Sequence, residues 1–296
     1  MSKSEQVESP VPANKAAGTL YLVGTPIGNL EDITFRALRV LKLVDLIACE
    51  DTRRTQKLLN YYGIRTRTTS YHEHNEMTRA PELIIELEQG SDIALVSDAG
   101  MPVLSDPGYR LVKLAIRHNV PVVSVPGASA FVAALAASGL PVDKFRFLGF
   151  LPSKVSQRRR ALEEVKTAEK TLVFYEAPHR LLEMLADARK ILGDRPMVLA
   201  REVTKVHEEF LRGTAAELLD TLKKKPAKGE FTVLVGAPVT PEQETPPSRP
   251  ISAEIRELME EQGLNERAAL KSVARARGIP RSEVYRQWQA EKLSSK

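Results

Sequence analysis

The sequence predicts an α/β protein with two sheets, followed by a small helical domain. Between residues 19 and 237, eight short β-rich runs alternate with segments of helical period. Five prolines then fall between residues 238 and 250, which favours an extended linker. Helical patterns follow the linker up to the C-terminus. Eight strands suit two sheets better than one, and we place the division between Pro126 and Pro141.

The predicted strands are short runs that are rich in apolar and β-branched residues. They are Thr19–Val23, Asp45–Cys49, Asp92–Ser97, Val120–Val125, Phe145–Phe150, Thr171–Tyr175, Met197–Arg201 and Phe231–Val235. Amphipathic segments lie between them. The clearest are Ile33–Val44, Arg79–Glu88, Tyr109–Arg117, Ala128–Ala137 and Arg180–Leu192. Such alternation indicates βαβ units around largely parallel sheets, so we expect an N-terminal α/β domain at 18–127 and a C-terminal one at 128–237.

The two ends of the chain differ from this pattern. Residues 1–17 are polar, include two prolines and have no apolar core, so we expect a disordered tail and not a signal peptide. Residues 251–296 predict helices at 268–277 and 281–289, joined by a turn at 278–280. This pattern fits a helix-turn-helix that meets a nucleic-acid groove, and equally a helical hairpin that packs on the body or on a second subunit.

Composition excludes several classes of protein. The hydrophobic fraction of 43% and the charged fraction of 27% are typical of globular domains. No run has the length of a spanning helix, so we expect a cytoplasmic protein without a membrane partner. Cys49 is the only cysteine, which excludes an internal disulfide and a cysteine-based zinc cluster.

The net charge of +5 is compatible with an anionic partner but does not establish one. Lysine and arginine are concentrated at a few places, and each concentration is either a solvated face or a contact with nucleic acid. These places are Arg158–Arg160, Lys223–Lys225, and the group of Arg53, Arg54, Arg65 and Arg67.

Three loops that follow predicted strands carry residues suited to ligand binding. Ligands of open α/β sheets collect outside the carboxyl ends of the strands. The loops are 24–30, with two glycines, 97–108, rich in Gly, Pro and Asp, and 125–130, with Pro-Gly and small residues. Asp98 is suited to bind an amino group, a ribose hydroxyl or a cation. Asp106, followed by Pro107, fits a simple helix start.

The order of these loops resembles the tetrapyrrole methylase superfamily, whose members hold S-adenosylmethionine in a cleft between two α/β domains. The resemblance extends from Gly18 to about Pro238, and its motifs lie at 22–34, 50–53, 72–76, 97–108 and 174–180. Relatives that act on porphyrins are expected to have a G-x-G-P-G first loop, from which this chain departs. The pattern is similar to the branch that methylates the ribose 2′-oxygen of a cytidine in small-subunit ribosomal RNA.

The resemblance implies a set of residues that bind the cofactor through side chains or backbone. They are Pro26, Asp98, Gly100, Met101, Ser129, Glu176, Ala200 and Ala237. Met101 stands where many relatives have threonine, so the resemblance implies a backbone contact there and no side-chain role.

Methyl transfer to a ribose hydroxyl is an in-line displacement that depends on alignment and on removal of a proton. The candidate bases are Asp51, His72, His74, Glu176 and His179. We favour Asp51 with Arg53 as a pair that faces the substrate, although a helix cap and a solvated arginine explain them equally well. We expect no metal at His72-Glu73-His74, because adjacent strand residues point to opposite faces and no further ligand completes a site.

These observations predict an enzyme that uses S-adenosylmethionine to methylate ribosomal RNA or the small ribosomal subunit. The resemblance also implies a homodimer. Two alternatives stay open: a methyltransferase that acts on a tetrapyrrole or another small molecule, and a non-catalytic RNA-binding factor for ribosome assembly. Binding of S-adenosylmethionine separates the enzymes from the assembly factor.

Overall fold

A five-stranded parallel sheet forms the centre of the N-terminal half. The computed structural model describes residues 17–224, 227–238, 250–261, 263–277 and 279–294. The sheet has the order β3-β2-β4-β1-β5, and all its neighbouring strands are parallel. Its strands are β1 (Leu20–Val23), β2 (Leu46–Cys49), β3 (Thr68–Ser70), β4 (Ile93–Val96) and β5 (Val122–Val125). Every residue of β2 and β4 is buried, as expected for a parallel sheet covered on both faces.

Four α-helices and one 3-10 helix connect these strands. The 3-10 helix is Leu30–Asp32, and the α-helices are α1 (Phe35–Leu43), α2 (Thr52–Tyr61), α3 (Glu76–Glu88) and α4 (Tyr109–Arg117). Thr34 caps α1 by accepting the backbone N–H of Ala37 at 3.1 Å. Separate apolar clusters, one containing Leu83 and the other Leu41, cover the two faces of the sheet.

The second sheet has mixed strand directions, so the prediction of largely parallel sheets is wrong here. Its order is β6-β7-β10-β8-β9. Only β6 and β7 are parallel, and every other pair is antiparallel. The strands are β6 (Phe145–Phe150), β7 (Thr171–Glu176), β8 (Met197–Arg201), β9 (Glu209–Gly213) and β10 (Phe231–Val235). The reason is topological, because β10 enters between β7 and β8, and β8 and β9 form a hairpin.

Helices cover both faces of the second sheet. They are α5 (Ala130–Ser138), α6 (Val155–Glu163), α7 (Leu181–Leu192) and α8 (Ala215–Lys224). On one face, Ala134 and Leu135 of α5 join an apolar cluster with Val173 and Leu234 of the sheet. The helices α6, α7 and α8 contribute to a separate cluster with other sheet residues, among them Phe174. Thus α5 is the first helix of the C-terminal half.

The helices after the linker form a unit of their own. Contacts divide the chain into residues 1–238 and 239–296. The second unit contains α9 (Ile251–Glu261), α10 (Glu266–Arg277) and α11 (Arg281–Ser294), of which the sequence predicted the last two. Ile255, Leu270, Val284 and Trp288 are buried together in its core. None of the helices that the structure describes has the length and apolar composition of a membrane span. Residues 1–16 of the predicted tail and 239–249 of the predicted linker lie outside the described residues.

Candidate active site

A cavity of about 390 Å³, here called the cleft cavity, is lined by residues from both halves of the α/β unit. The first half contributes Ile27 after β1 and the loop after β4, while α5 contributes its first turn. The second half contributes residues at the carboxyl ends of β6, β7 and β8 and at the start of β10. Six of the residues predicted to bind the cofactor line this cavity: Asp98, Gly100, Met101, Ser129, Glu176 and Ala200.

The loop after β4 is held in an unusual backbone conformation at the cavity. Val103 and Ser105 have φ angles of 78° and 66°, which side-chain-bearing residues rarely adopt. The loop is fixed to the end of β1 by two backbone hydrogen bonds between Thr25 and Gly100, of 2.9 and 3.1 Å. Such strain persists where the surrounding structure enforces it, which is common at ligand sites.

The loops 24–30 and 125–130 contact each other through Gly24 and Gly127, next to the loop after β4. A Cβ atom on Gly24 would lie 2.7 Å from the Cα atom of Gly127 and 2.7 Å from the sulfur atom of Met101. A Cβ atom on Gly127 would lie 2.9 Å from the backbone of Gly24. Only glycine permits this approach, so these positions bring the three loops together.

Asp98 lies at the centre of the polar contacts on the first-half wall. One carboxylate oxygen accepts the backbone N–H of Asp51 at 3.1 Å. The other pairs with the guanidinium of Arg54 at 3.1 Å. Arg54 also lines the cleft cavity, whereas Arg53 does not. On this wall the cation that lines the cavity is therefore Arg54, and not its neighbour Arg53, which the sequence analysis favoured.

Asp51 and Arg53 form a helix cap and an ion pair outside the cleft cavity. The Asp51 carboxylate accepts the backbone N–H of Arg53 at 2.8 Å and pairs with its guanidinium at 2.9 Å. These hydrogen bonds lower the pKa of Asp51 to about 2. A carboxylate with so low a pKa is a weak base at neutral pH.

Glu176 is buried and held by neighbouring donors. Its side chain is 1% exposed, and one oxygen lies 2.6 Å from the guanidinium of Arg180. The same oxygen accepts the backbone N–H of Ala177 at 2.9 Å. His179, three residues after Glu176, is exposed and does not line the cleft cavity. The structure thus brings Glu176 to the cavity in a fixed orientation and leaves His179 outside.

Several acidic side chains line the cleft cavity. Burial is the main cause that raises the pKa of Asp106 to about 6, with the charge of Glu50 next. Burial, followed by the charge of Asp98, also raises the pKa of the Glu50 carboxyl. Four carboxylates line the cavity, and three of them are in ion pairs: Asp98 with Arg54, Glu176 with Arg180, and Glu230 with Lys205.

This lining fits S-adenosylmethionine in size and in chemistry. The volume falls within the range of small-molecule sites. Carboxylates stabilise the sulfonium and ammonium groups of the cofactor, since unlike charges attract strongly where water is excluded. Apolar side chains offer a slot for its adenine ring, among them Ile27, Phe131 and Val203.

Some predicted positions lie elsewhere, and some lining residues escaped prediction. Pro26 and Ala237 are not among the residues that line the cleft cavity. Asp106 does not start a helix, because Gly108 is the residue before α4. Asp106, Tyr175 and Lys205 line the cavity although the sequence pattern did not select them as ligands. For Asp106 and Lys205, the sequence feature that could have indicated a ligand site was their position in loops that follow strands.

We expected His72 and His74 to lie in a strand, but the structure places them in a turn. His72, Glu73 and His74 occupy the turn between β3 and α3, and the ring centres of the two histidines are 6.0 Å apart. Within the part of the chain that the structure describes, no three potential ligands are grouped to hold a metal ion.

Comparisons with known proteins find relatives that match this chain over most of its length. The chain is 51% identical to "Ribosomal RNA small subunit methyltransferase I" of Halalkalibacterium halodurans, over 90% of this chain and 93% of that one. It is 43% identical to the protein of the same name from Streptococcus pyogenes serotype M1, over 96% and 99% of the two chains.

Solved structures resemble the fold at lower identity. A cobalt precorrin-4 methyltransferase is 18% identical with a TM-score of 0.56, and the match covers 74% of this chain and 94% of that one. Uroporphyrin-III-C-methyltransferase from Thermus thermophilus is 21% identical with a TM-score of 0.53, over 74% and 94%.

The family model described as Tetrapyrrole (Corrin/Porphyrin) Methylases matches residues 19–219, which contain nearly all of the α/β unit. Its members are methyltransferases that take the methyl group from S-adenosylmethionine. The lining of the cleft cavity fits that cofactor. The chain belongs to the tetrapyrrole methylase family and is a methyltransferase that uses S-adenosylmethionine.

Proposed function

We propose that the chain methylates the ribose 2′-oxygen of a cytidine in small-subunit ribosomal RNA. The main support for an RNA substrate is that relatives named as ribosomal RNA methyltransferases match almost the whole chain. The Streptococcus pyogenes relative matches 284 residues, more than the 238 residues of the α/β unit, so the match includes part of the helical unit. The two tetrapyrrole enzymes match only 74% of the chain.

The cleft cavity would hold the cofactor through the strand-end loops. Asp98, Gly100, Met101 and Ser129 line it from the first half and α5, and Glu176 and Ala200 line it from the second. When bound, S-adenosylmethionine supplies an electrophilic methyl group. The residues of the chain would then exclude water and align the ribose oxygen with that group, and alignment accounts for much of the rate of such displacements. Pro26 and Ala237 remain candidates for backbone contacts further out.

The reaction also needs a group that accepts the hydroxyl proton. Asp51 has a pKa of about 2 and is bound to Arg53, which supports a positioning role for this pair through the Asp51 N–H and Asp98. Glu176 is bound to Arg180, which supports positioning there as well. We retain His179 only as a residue that meets RNA from outside the cavity, since it is exposed.

The experiment that tests the proposed function uses labelled cofactor and small ribosomal subunits from cells that lack this protein. We expect label in the ribosomal RNA at the 2′-oxygen of one cytidine, mapped by nuclease digestion and mass spectrometry. Label on a base, or on a porphyrin precursor only, would contradict the proposal. Absence of cofactor binding would favour the assembly-factor alternative.

We also propose a homodimer and a cytoplasmic location. The family resemblance supports the homodimer, and action on ribosomal RNA supports the location.

A further inference from the structure

A second depression, here called the α4 groove, adjoins the cleft cavity. It has a volume of about 560 Å³ and runs along α4. Ser105 and Asp106 line both the groove and the cleft cavity. The two spaces therefore adjoin at these residues.

One wall of the groove carries cations and an aromatic ring. Arg110, Lys113 and Arg117 follow one another at spacings of three and four, which places them on one face of α4. Lys113 and Arg117 are exposed and form no ion pair with any residue that the structure describes. Tyr109 is 68% exposed, and the Lys113 ammonium lies 5.9 Å from its ring centre.

Arg110 has donor capacity left over. Its nearest ion-pair contact is 3.7 Å from Nε to a carboxylate oxygen of Glu76, which is too long for a hydrogen bond. Within the described part of the chain, Nε finds no hydrogen-bond partner. The two exposed cations Lys113 and Arg117, beside an exposed aromatic ring, are the combination with which proteins hold phosphates and stack unpaired bases.

The groove is acidic as well. Glu50, Glu73 and Glu76 line it. Carboxylates repel phosphates but accept hydrogen bonds from the exocyclic amino group of cytosine. The groove thus offers cations of α4 for the phosphates of a nucleotide strand and carboxylates for its base edges.

Asp106 stands where the groove meets the cleft cavity. Around it lie the carboxylates of Glu50 and Asp98, the hydroxyl of Ser97 and the phenol of Tyr175. Burial and then the charge of Glu50 raise its pKa to about 6, against a lowering by Ser97. A group with this pKa is ionised at neutral pH and is still basic enough to accept a proton.

We propose that the α4 groove binds a single-stranded RNA segment and presents the reacting ribose hydroxyl to Asp106. This inference rests on the proposed function. As the ribose oxygen forms its bond with the methyl carbon, its proton passes to the Asp106 carboxylate. The carbon–sulfur bond breaks at the same time, and its electron pair stays on sulfur.

The first test reverses the two unpaired cations in the full-length protein, as Lys113→Glu with Arg117→Glu. The matched control is Arg189→Glu with Lys190→Glu, which likewise reverses two exposed cations of one helix. With small ribosomal subunits, we expect KM of the groove variant to rise at least about tenfold, and its log KM to depend on log salt with a slope smaller by about 1.4. The control should keep the KM and the salt slope of the unmodified protein.

The results separate this inference from the proposed function. If the unmodified protein methylates no RNA, the proposed function is wrong. If it does methylate RNA and the groove variant matches the control, the groove inference alone is wrong. A defect on assembled subunits that disappears on protein-free ribosomal RNA would show that the groove meets a ribosomal protein, which also contradicts the inference.

The second test is Asp106→Asn. We expect kcat to fall about 10²- to 10⁴-fold, the range for loss of a general base. The rise of kcat/KM with pH near 6 should disappear with it. Calorimetric affinity for S-adenosylmethionine should stay measurable, which would show that the variant is folded. An unchanged kcat would remove Asp106 from the reaction.

Discussion

At the scale of single residues, the sequence indicated a binding role for Asp98 but not for Asp106. Asp98 was predicted to bind a ligand from its position at a strand end, and it lines the cleft cavity, while its contact with a ligand stays a prediction. Asp106 looked like the start of a helix because a proline follows it, yet α4 begins after Gly108. Of the charged neighbours that raise its pKa, Asp98 belongs to the same loop, but Glu50, which has the larger effect, follows β2. Local sequence does not reveal such neighbours.

The raised pKa of Asp106 makes a prediction about stability. The folded protein binds the proton more tightly than the unfolded chain, whose aspartate has its ordinary value of 3.8. Stability from this group is therefore complete below about pH 4 and is lost as pH rises through 6. At pH 8 we expect Asp106→Asn to raise the free energy of unfolding by about 1–3 kcal/mol relative to the unmodified protein. At pH 4 we expect no such increase.

Urea unfolding at the two pH values measures this difference. Asp143→Asn, at an exposed position, is the control for the loss of a surface charge. Equal gains at pH 4 and pH 8 would mean that the substitution acts through packing and not through the proton.

At the scale of elements, the sequence showed which segments are helices and strands more reliably than how they pair. The parallel first sheet follows from buried strands joined by helices, and it was predicted. The mixed second sheet was not, because the placement of β10 between β7 and β8 depends on contacts across more than fifty residues. The short strands β3 and β9 were missed, since both are partly exposed and polar.

The arginine cluster of α6 shows the same limit. In the sequence, Arg158–Arg160 looked like a solvated face or an RNA contact. In the structure Arg158 is 2% exposed and donates to Asp187 of α7 at 2.8 Å. Arg159 binds the other oxygen of Asp187 at 2.7 Å. The buried pair joins α6 to α7, so Arg158 is not available to RNA.

We expect Arg158→Ala to lower the free energy of unfolding by about 1.5–3 kcal/mol, because it removes one of the two arginines that neutralise the buried Asp187 and leaves only the half-exposed Arg159. Arg160→Ala is the matched control. Its side chain is 84% exposed and forms only a 3.5 Å pair within its own helix, so its cost should stay within about 0.5 kcal/mol. Urea unfolding at pH 7 measures both values. A cost for Arg158→Ala no larger than the control would contradict the structural role of the pair.

At the scale of the whole molecule, the order of motifs was the strongest signal in the sequence. Three glycine-containing loops, each after a strand, resemble those of a family whose members hold the cofactor between two domains, and six of the residues that this resemblance implies line one cavity. The close approach of Gly24 and Gly127 explains why glycines occur in two separate loops. The shape of the α4 groove was beyond prediction, because its walls come from α4, from the end of β2 and from the turn before α3.

The central claim is that the cleft cavity binds S-adenosylmethionine. A crystal structure of the protein with S-adenosylhomocysteine, the demethylated product, tests it most directly. We expect the product in the cleft cavity, in contact with Asp98 and with the backbone of Gly100 and Met101. A crystal in which the product lies elsewhere and the cleft cavity contains only water would contradict the account.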